Sequence, residues 1–330
     1  MKAAFIRTHG DPEVIEVGEQ PYPTLKAGEV ILKVHATGLN RLELYSRAGT
    51  RGTKLPDESM PHILGGECSG EIVEIGIGVS HLSVGQRVVV NPHCGRQILG
   101  TTRAGSNAEY VASCAENVIP IPDSLSFEQA AGLPTVYLPT WGIIIREGQL
   151  QKSETAVVLS SSSGVGTAAI QIIKGVVGAD CIAVTSSEEK IGKSLALGAD
   201  HAINYKTENI KERILEITNG KGADLVVDST GALFFEDAYA SLARGGRFGI
   251  CGVTAGYQSQ IHLGQLFSKQ LKLFGTFMGS MEELKNIVHE ASKGNISTHI
   301  HKLIGLEELK DAHEEMEKSE HFGKFIVSIN

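Results

Sequence analysis

The fold is decided by the stretch Ala156-Val157-Val158-Leu159-Ser160-Ser161-Ser162-Ser163-Gly164-Val165-Gly166. Its four apolar residues predict a buried strand, and the helical pattern over residues 165–177 makes the serines and glycines a strand-to-helix turn. In such turns backbone N–H groups reach the pyrophosphate of a dinucleotide, and the usual fingerprint is GxGxxG. Gly166 stands at the last glycine position, whereas Ser161 and Ser163 stand at the first two. We predict dinucleotide contacts from Ser163, Gly164, Val165 and Gly166; a serine-rich turn whose glycines serve only packing is the alternative.

Outward from this turn, apolar runs alternate with helical patterns. The predicted strands are 156–159, 181–184, 201–203, 225–228 and 247–251, and the predicted helices are 165–177, 188–197, 210–218 and 235–242. Strands that alternate with helices form βαβ units, whose parallel sheet is covered by helices on both faces. The sequence therefore predicts an α/β chain with a Rossmann-like, doubly wound parallel sheet in a domain over residues 123–267.

The flanking segments follow a different pattern. Residues 1–122 contain short apolar runs such as Val30–Val34 and Arg87–Val90, separated by Gly, Pro and Asn. Several short strands with regular turn signals predict an irregular β-barrel. The last segment is predicted to add a strand at Leu271–Phe277, helices at Glu282–Ser292 and Leu306–Lys318, and a strand at Lys324–Ile329. We predict that residues 1–122 and 268–330 together form a second domain.

Composition limits the partners and the compartment. The net charge of −8, without any large cluster of Lys and Arg, speaks against nucleic acid, because phosphate binding needs concentrated positive charge. No run of about 18 apolar residues predicts a membrane span, and the start of the chain lacks the apolar stretch of a signal peptide. The five cysteines are scattered, without a CxxC pair, as is typical of reduced thiols. We therefore expect a cytoplasmic protein that acts on a small molecule.

The end of the second predicted strand bears on the choice of cofactor. An NAD site places Asp or Glu there to bind the ribose 2′-hydroxyl. This chain has Thr185-Ser186-Ser187 instead, with Lys190 shortly after. Small hydroxyl residues and a cation favour the 2′-phosphate of NADPH, which an acid would repel. Glu188 and Glu189 count against this interpretation, although in the first turn of a helix they also complement its dipole.

Further motifs lie along the whole chain. They are Gly38-Leu39-Asn40-Arg41, Pro61-His62-Ile63-Leu64-Gly65-Gly66-Glu67, Gly76-Ile77-Gly78-Val79, Val84-Gly85-Gln86-Arg87-Val88, Ala130-Ala131-Gly132-Leu133-Pro134, Leu197-Gly198-Ala199-Asp200, Ile203-Asn204-Tyr205 and Phe322-Gly323-Lys324. Together they resemble the medium-chain dehydrogenase/reductase superfamily, and within it the zinc-free NADPH:quinone oxidoreductase branch. The resemblance implies a Rossmann domain that binds NADPH and a GroES-like catalytic domain. It also implies a homodimer, paired through an edge strand such as Leu271–Phe277.

Zinc-dependent members of that superfamily hold a catalytic metal on a Cys, a His and a later Cys or Asp. The matching positions here are Asn40, Gly66 and Thr135, none of which is a good zinc ligand, and Glu67 alone cannot hold the ion. The four-cysteine lobe that binds a structural zinc is also missing, since only Cys94 lies between residues 91 and 109. The resemblance therefore implies no metal. A rearranged metal site is the alternative, built from His62, Cys68, His93 and Cys94.

Without zinc, a substrate carbonyl needs another hydrogen-bond donor for its developing oxyanion. The resemblance implies Asn40 and Tyr45, which match positions that line the nicotinamide pocket in zinc-free quinone oxidoreductases. The alternative is that Asn40 caps a helix and Tyr45 only packs, and Glu43 is expected to face solvent or an ion pair. Gly252 follows a predicted parallel strand at the edge where such sheets bind ligands. The resemblance adds two further cofactor contacts, Tyr205 and Lys324.

An electrophilic acceptor suits such a site, because the cofactor carries the hydride and the protein supplies position, a dry pocket and a donor. We therefore predict NADPH-dependent reduction of quinones or α,β-unsaturated carbonyls. A zinc-free ketone or aldehyde reductase, similar to alcohol dehydrogenases, is one alternative. A cofactor-binding protein without enzymatic activity is the other, and the altered glycine fingerprint favours it.

Overall fold

A computed structural model describes residues 1–95 and 97–329 of the chain. They divide into two compact units. The first unit contains Met1–Thr135, Leu284–Ser292 and the chain from Ile300 onward, and the second contains Val136–Glu283 and Lys293–His299. In the described ranges no helix has both the length and the apolar character that a membrane crossing requires.

Strands and helices occur in both units. The strands are β1 (Lys2–Ile6), β2 (Ile15–Glu19), β3 (Glu29–Gly38), β4 (His62–Ile63), β5 (Cys68–Ile75), β6 (Arg87–Val90), β7 (His93–Cys94), β8 (Gln97–Ile98), β9 (Tyr110–Cys114), β10 (Val118–Pro120), β11 (Thr155–Val158), β12 (Asp180–Thr185), β13 (His201–Asn204), β14 (Ala223–Asp228), β15 (Leu242–Ile250), β16 (Lys272–Gly275), β17 (Ile300–Ile304) and β18 (Lys324–Ser328). The helices are α1 (Arg41–Ala48), α2 (Phe127–Ala131), α3 (Pro134–Trp141), α4 (Gly164–Gln171), α5 (Glu188–Ala196), α6 (Ile210–Ile217), α7 (Ala232–Ala240), α8 (Leu263–Ser268), α9 (Met281–Ser292) and α10 (Leu309–Lys318). Helices α3 and α4 continue as π-helical segments, Gly142–Glu147 and Ile172–Val177. Short 3-10 helices lie at Pro12–Val14, Asp57–Ser59, Ala115–Asn117 and Leu306–Glu308.

The second unit is built on a parallel sheet. Among its described residues, six strands pair in the order β13-β12-β11-β14-β15-β16. This is the strand order of a doubly wound Rossmann sheet, whose switch point lies between β11 and β14. Val157, Ile182 and Val226 are neighbours in register and are fully buried, because helices cover both faces of a parallel sheet. The predicted α/β fold with a Rossmann-like sheet is confirmed.

The first unit is built on short and mostly antiparallel strands. Its largest sheet has the order β10-β6-β5-β3-β18-β17, and β9 also pairs with β3. A second sheet has the order β2-β1-β4, and β7 pairs with β8. An apolar core that includes Leu32, Ile72, Val88 and Phe325 joins β3, β5, β6 and β18. The predicted domain of short strands is therefore observed, with a closing strand supplied by the end of the chain.

The two units do not end at the predicted domain boundaries. Residues 123–135 belong to the first unit, where the Ser69 hydroxyl of β5 donates to the Phe127 carbonyl of α2 over 2.6 Å. Residues 268–283 belong to the second unit, because β16 extends its sheet beside β15. Residues 293–299 belong to it as well. Local pattern could not show these contacts, which form between segments distant in sequence.

The cysteines differ in their state. Cys68, Cys181 and Cys251 carry free thiols. Cys114 is disulfide-bonded. The expectation of reduced cysteines throughout the chain is therefore wrong at Cys114, because spacing along the sequence does not show which sulfur atoms lie close together in the fold.

Candidate functional site

A buried ion pair lies where three segments of the first unit meet. Lys324 begins β18, Glu67 precedes β5, and Asn40 precedes the first residue of α1. The Lys324 Nζ lies 2.6 Å from Glu67 Oε1 and 2.7 Å from Asn40 Oδ1. Asn40 Nδ2 donates to the same Glu67 oxygen over 2.8 Å. The side chains of Glu67 and Lys324 are 0% and 4% exposed, so water screens this pair very little.

The N–H groups of these side chains are occupied within the cluster. Lys324 has three hydrogens to donate, and they reach Glu67, Asn40 and the Leu39 carbonyl, the last over 3.1 Å. The Asn40 amide has two, which reach Glu67 and the Gly38 carbonyl, the latter over 3.1 Å. In this arrangement neither side chain has a hydrogen left for a substrate or a cofactor. The geometry makes Asn40 and Lys324 positioning residues for the Glu67 carboxylate.

Glu67 also reaches the third position that matches a zinc ligand. Its Oε2 accepts the backbone N–H of Thr135, at the start of α3, over 2.7 Å. Gly38 leaves room for this carboxylate, because a Cβ there would lie 2.5 Å from Glu67 Oε1. The Thr135 hydroxyl oxygen is buried and has no hydrogen-bond partner in the described part of the chain. Asn40 and Thr135, far apart in the sequence, thus meet on one carboxylate.

This set of groups does not fit a zinc ion. Zinc prefers thiolate, imidazole or carboxylate, whereas Asn40, Gly66 and Thr135 offer an amide, no side chain and a hydroxyl. The ammonium of Lys324 already neutralises the Glu67 carboxylate. Within the described ranges no group of three or more His, Cys, Asp or Glu could hold a metal.

The alternative metal site gains no support from its members. Burial raises the pKa of the Cys68 thiol to about 12, which keeps it in the protonated form that metals do not bind. Burial also lowers the pKa of His62, whose Nε2 has no partner among the described residues. The side chain of Cys94 lies outside the described residues.

The first turn of α1 brings a second buried carboxylate to the cluster. Glu43 Oε1 accepts the Asn40 backbone N–H over 3.1 Å, and its Oε2 accepts Asn107 Nδ2 over 3.2 Å. Burial raises the pKa of Glu43 to about 7, against the opposing effect of the bond from the Asn40 backbone. The expectation that Glu43 faces solvent is therefore wrong. The Asn-x-x-Glu spacing, typical of a helix capping box, is the signal in the sequence that could have shown it.

Tyr45 lies half-buried on the same helix. The guanidinium carbon of Arg51 lies 4.3 Å from the centroid of its ring. The Tyr45 hydroxyl makes no hydrogen bond with the described residues. Tyr45 therefore keeps a hydrogen to donate, as its predicted role requires, and has a cation beside its ring.

In the second unit, the chain leaves β11 through a tight turn into α4. Ser160 has a left-handed φ of 56°, and its carbonyl accepts the Ser163 N–H over 3.0 Å. The Ser163 hydroxyl accepts the Gly166 N–H over 3.0 Å and so caps the helix. A Cβ at Gly166 would lie 2.3 Å from the Ser160 carbonyl oxygen, so only glycine fits there. The N–H groups of Gly164 and Val165, in the first turn, have no acceptor within the helix and are available to an anion.

The serines at the first two glycine positions of the fingerprint have structural partners. The Ser161 hydroxyl is buried and lies 2.9 Å from the Ser194 hydroxyl. Ser163 is the cap of α4. The fingerprint is thus altered in its residues, whereas the turn and the close helix-to-strand approach at Gly166 are kept.

The residues predicted to bind a 2′-phosphate lie where β12 ends. The Tyr205 N–H donates to the Thr185 carbonyl over 3.0 Å, so the ends of β12 and β13 lie side by side. The Tyr205 ring packs on Phe234 with 4.7 Å between centroids. The Thr185 hydroxyl is buried without a partner in the described residues. Lys190 lies in the first turn of α5 and is 9% exposed.

The two acids that counted against NADPH have partners within their own unit. Glu188 Oε1 accepts Asn204 Nδ2 over 3.1 Å. Glu189 pairs with Lys193, one turn later on α5, over 2.6 Å. These contacts within the protein explain the positions of both carboxylates, without a bond from either one to a cofactor ribose.

Gly252 lies just beyond β15, as predicted. The Cys251 N–H donates to the Asp228 carbonyl over 2.9 Å, which joins the ends of β14 and β15. A Cβ at Gly252 would lie 2.8 Å from the Ser229 carbonyl oxygen, so glycine permits this approach. The segments after β11, β12, β14 and β15 therefore share the carboxyl edge of the sheet, where open parallel sheets bind ligands.

Two family models match the chain. Residues 26–123 match the model described as alcohol dehydrogenase GroES-like domain, and residues 164–293 match the model described as zinc-binding dehydrogenase. The second range contains none of the three positions that match the catalytic zinc ligands. The first unit is thereby confirmed as a GroES-like domain.

Individual relatives are similar over most or all of the chain. A quinone oxidoreductase of Salmonella typhimurium is 32% identical over 79% of this chain and 76% of its own length. An alcohol dehydrogenase of Geobacillus stearothermophilus is 29% identical over 100% of both chains. The crystal structure of an NAD-dependent alcohol dehydrogenase is similar over 100% of both chains, with a TM-score of 0.93 and 36% identity. The chain belongs to the medium-chain dehydrogenase/reductase superfamily, as its motifs predicted.

Proposed function

We propose that the protein reduces quinones or α,β-unsaturated carbonyls with NADPH, by hydride transfer without zinc. The observation that carries this proposal is the buried Lys324–Glu67 pair. Lys324 is ion-paired with the carboxylate beside the positions that match the zinc ligands, so a zinc ion would have to displace it. When bound, NADPH supplies the hydride. The residues of this chain then bind and orient the substrate, exclude water and donate hydrogen bonds to its oxygen.

Electrophilic substrates suit these residues. A simple alcohol needs a Lewis acid to stabilise its alkoxide, and the cluster around Glu67 offers none. A quinone or an activated alkene already attracts hydride and spreads the resulting negative charge, so neutral donors suffice. The Tyr45 hydroxyl is such a donor, and Asn40 holds the Glu67 carboxylate in place through a hydrogen bond of 2.8 Å.

The end of β12 supports NADPH over NADH. The strand ends at Thr185 and is followed by Ser186, two hydroxyl residues where an NAD site would have an acid. Lys190 adds positive charge in the first turn of α5. Glu188 and Glu189, the nearest acids in sequence, are bound to Asn204 and Lys193.

Ketone or aldehyde reduction is the second candidate, and the similarity to proteins named alcohol dehydrogenases favours it. It demands a stronger donor for a localised alkoxide, which is why we place it second. A cofactor-binding protein without activity is the third. The complete turn at Gly166 speaks for cofactor binding in all three cases.

The predicted homodimer is part of the proposal. Strand β16 lies at one edge of the parallel sheet. Phe267 and Phe277, on either side of β16, are 78% and 77% exposed. Exposed aromatic residues beside an edge strand are typical of a surface covered by a partner.

The test is NADPH consumption with an ortho-quinone, an enone and a simple ketone, followed by the near-ultraviolet absorbance of the reduced cofactor. Each reaction is run with and without a zinc chelator, and with NADH in place of NADPH. We expect chelator-insensitive turnover of the quinone and the enone with NADPH. Loss of turnover on chelation would contradict the zinc-free mechanism, and turnover of the ketone alone would make the second candidate correct. NADPH binding without any turnover would favour the third.

A further inference from the structure

The Thr135 hydroxyl is the unexplained polar group of the Glu67 cluster. Its oxygen is buried, and no described residue forms a hydrogen bond with it. Buried hydroxyls are nearly always paired, so an exception calls for a reason. Thr140, in the same helix, shows the ordinary arrangement: its hydroxyl donates to the Val136 carbonyl over 2.5 Å. Thr135 has no such acceptor within α3, because the helix begins at Pro134 and offers no carbonyl one turn earlier.

The position of this hydroxyl is held by the cluster. The Thr135 backbone N–H is bound to Glu67 Oε2 over 2.7 Å. The other oxygen of Glu67 is bound to Lys324 and Asn40. A β-branched side chain has few χ1 positions, so a fixed backbone leaves the hydroxyl few places to point. The hydroxyl is thus held in place without a hydrogen-bond partner among the described residues.

The donors next to Thr135 are already occupied, so a hydrogen bond from this cluster to a substrate oxygen must come from the Thr135 hydroxyl. The hydrogens of Asn40 and Lys324 are all bound within the cluster. Among the side chains at the three positions that match zinc ligands, the Thr135 hydroxyl alone has a hydrogen that is not donated to a described residue. We propose that the Thr135 hydroxyl is a catalytic donor that binds the substrate oxygen where negative charge develops, in the place of the Lewis acid. This inference rests on the proposed function, whose substrates carry such an oxygen.

The chemical step balances without a proton from Thr135. Hydride from NADPH forms a C–H bond with the enone or quinone, and the electron pair of the broken π bond moves to the carbonyl oxygen. The cofactor is oxidised and the substrate is reduced by two electrons. The Thr135 O–H donates a hydrogen bond to the new oxyanion and keeps its proton, and water then protonates the product. Its contribution is electrostatic, like that of an oxyanion-hole donor.

The kinetic test compares Thr135→Val, Thr135→Ser and the control Thr140→Val in single turnovers with NADPH and an enone. Loss of one oxyanion donor lowers the rate by about 10²-fold, so we expect this loss for Thr135→Val. Thr135→Ser should recover most of the rate, Thr140→Val should react like the unaltered protein, and NADPH affinity should stay the same throughout. Because the Thr135 hydroxyl has no partner among the described residues, Thr135→Val should melt at an unchanged or higher temperature. A normal rate in Thr135→Val would overturn the assignment while leaving the proposed function intact.

A second measurement does not depend on turnover. 4-Nitrophenol is titrated into the protein saturated with NADP⁺, and its absorbance reports the fraction bound as phenolate, a mimic of the charged oxygen. We expect phenolate binding to weaken about tenfold in Thr135→Val and to recover in Thr135→Ser. A tenfold change in affinity corresponds to about 1.4 kcal/mol, and a hydrogen bond to a charged group contributes at least that much. This pattern in a protein without any turnover would retain the donor and refute the proposed function. No phenolate binding, or equal binding by all variants, would overturn the donor.

Discussion

The turn after β11 and the Glu67 cluster both carry substitutions at motif positions, and the substitutions have different consequences. In the turn, Ser161 and Ser163 replace glycines, but Ser161 pairs with Ser194 and Ser163 caps α4. The backbone conformation that an anion needs is kept. In the cluster, an amide and a hydroxyl replace metal ligands, and Lys324 is bound in their midst.

The comparison shows what kind of site tolerates substitution. A site that binds through backbone N–H groups survives a change of side chain that preserves the path of the chain. A site that binds through side chains acquires different chemistry when they change, because the ligands are the side chains themselves. In this protein the turn keeps the close helix-to-strand approach at Gly166, and a hydrogen-bonded ion pair lies beside the positions that match zinc ligands.

The largest expected effect comes from breaking that ion pair. Lys324→Met leaves the Glu67 carboxylate buried without a counter-ion, which costs about 3–5 kcal/mol of unfolding free energy. Urea unfolding measures this loss. In the double variant Lys324→Met with Glu67→Gln, much of the stability should return, because no charge is then left unpaired.

An exposed pair is the matched control for this prediction. Arg7 lies 3.2 Å from Glu16, and the two side chains are 59% and 48% exposed. Arg7→Met should leave the unfolding curve nearly unchanged, since water already screens such pairs. Equal losses of unfolding free energy in Arg7→Met and Lys324→Met would show that burial does not increase the contribution of the Lys324–Glu67 pair to stability.

The turn should respond to a single methyl group at Gly166. Its Cβ would lie 2.3 Å from the Ser160 carbonyl oxygen, so Gly166→Ala must displace the turn, at about 1–3 kcal/mol in stability. Fluorescence titration should show NADPH affinity lowered by about tenfold or more, because the first-turn N–H groups move with the turn. The control is Gly192→Ala in α5, where no atom lies within 4 Å of the new Cβ, and alanine should stabilise the helix by about 0.5–1 kcal/mol. If Gly166→Ala bound NADPH normally, the turn would not be the pyrophosphate site.

The smallest expected effect sharpens the choice between cofactors. Ser186→Asp places a carboxylate where we expect the 2′-phosphate, so the ratio of kcat/KM for NADPH over NADH should fall about tenfold. The control Asn219→Asp adds the same charge just after α6, toward the amino edge of the sheet, and should leave the ratio unchanged. A ratio that Ser186→Asp does not alter would place the ribose elsewhere.

Much of the fold could be predicted from local pattern. Four strands of the parallel sheet end within a residue or two of their predicted ends: β11, β12, β13 and β14. Short apolar runs between predicted helices are typical of buried strands, so the pattern alone locates them. The compact units of the structure have other bounds than residues 122 and 267, since α2 and β16 attach to their units by contacts that no local pattern reveals.

The sequence could predict residues of the candidate site but not the hydrogen bonds between them. Asn40 and Lys324 were predicted as site residues by resemblance, and Thr135 was named only as a position that matches a zinc ligand, but the hydrogen bonds that occupy Asn40 and Lys324 were not foreseen. Glu43 was expected to face solvent or an ion pair, and it is buried with a pKa raised to about 7. Hydrogen-bond occupancy depends on every neighbour of a group, so a motif cannot state it.

The sequence by itself determined the α/β class, the turn at Gly166 and the residue types at the three positions that match zinc ligands, because periodicity, turn chemistry and residue type are properties of short stretches. Only the tertiary structure decided which contacts those residues make. Lys324 and Glu67 are 257 residues apart and meet because β3 pairs with both β5 and β18. Within the described residues, both side-chain N–H groups of Asn40 are bound and the Thr135 hydroxyl has no partner, since the positions of donors and acceptors in the whole fold determine each hydrogen bond.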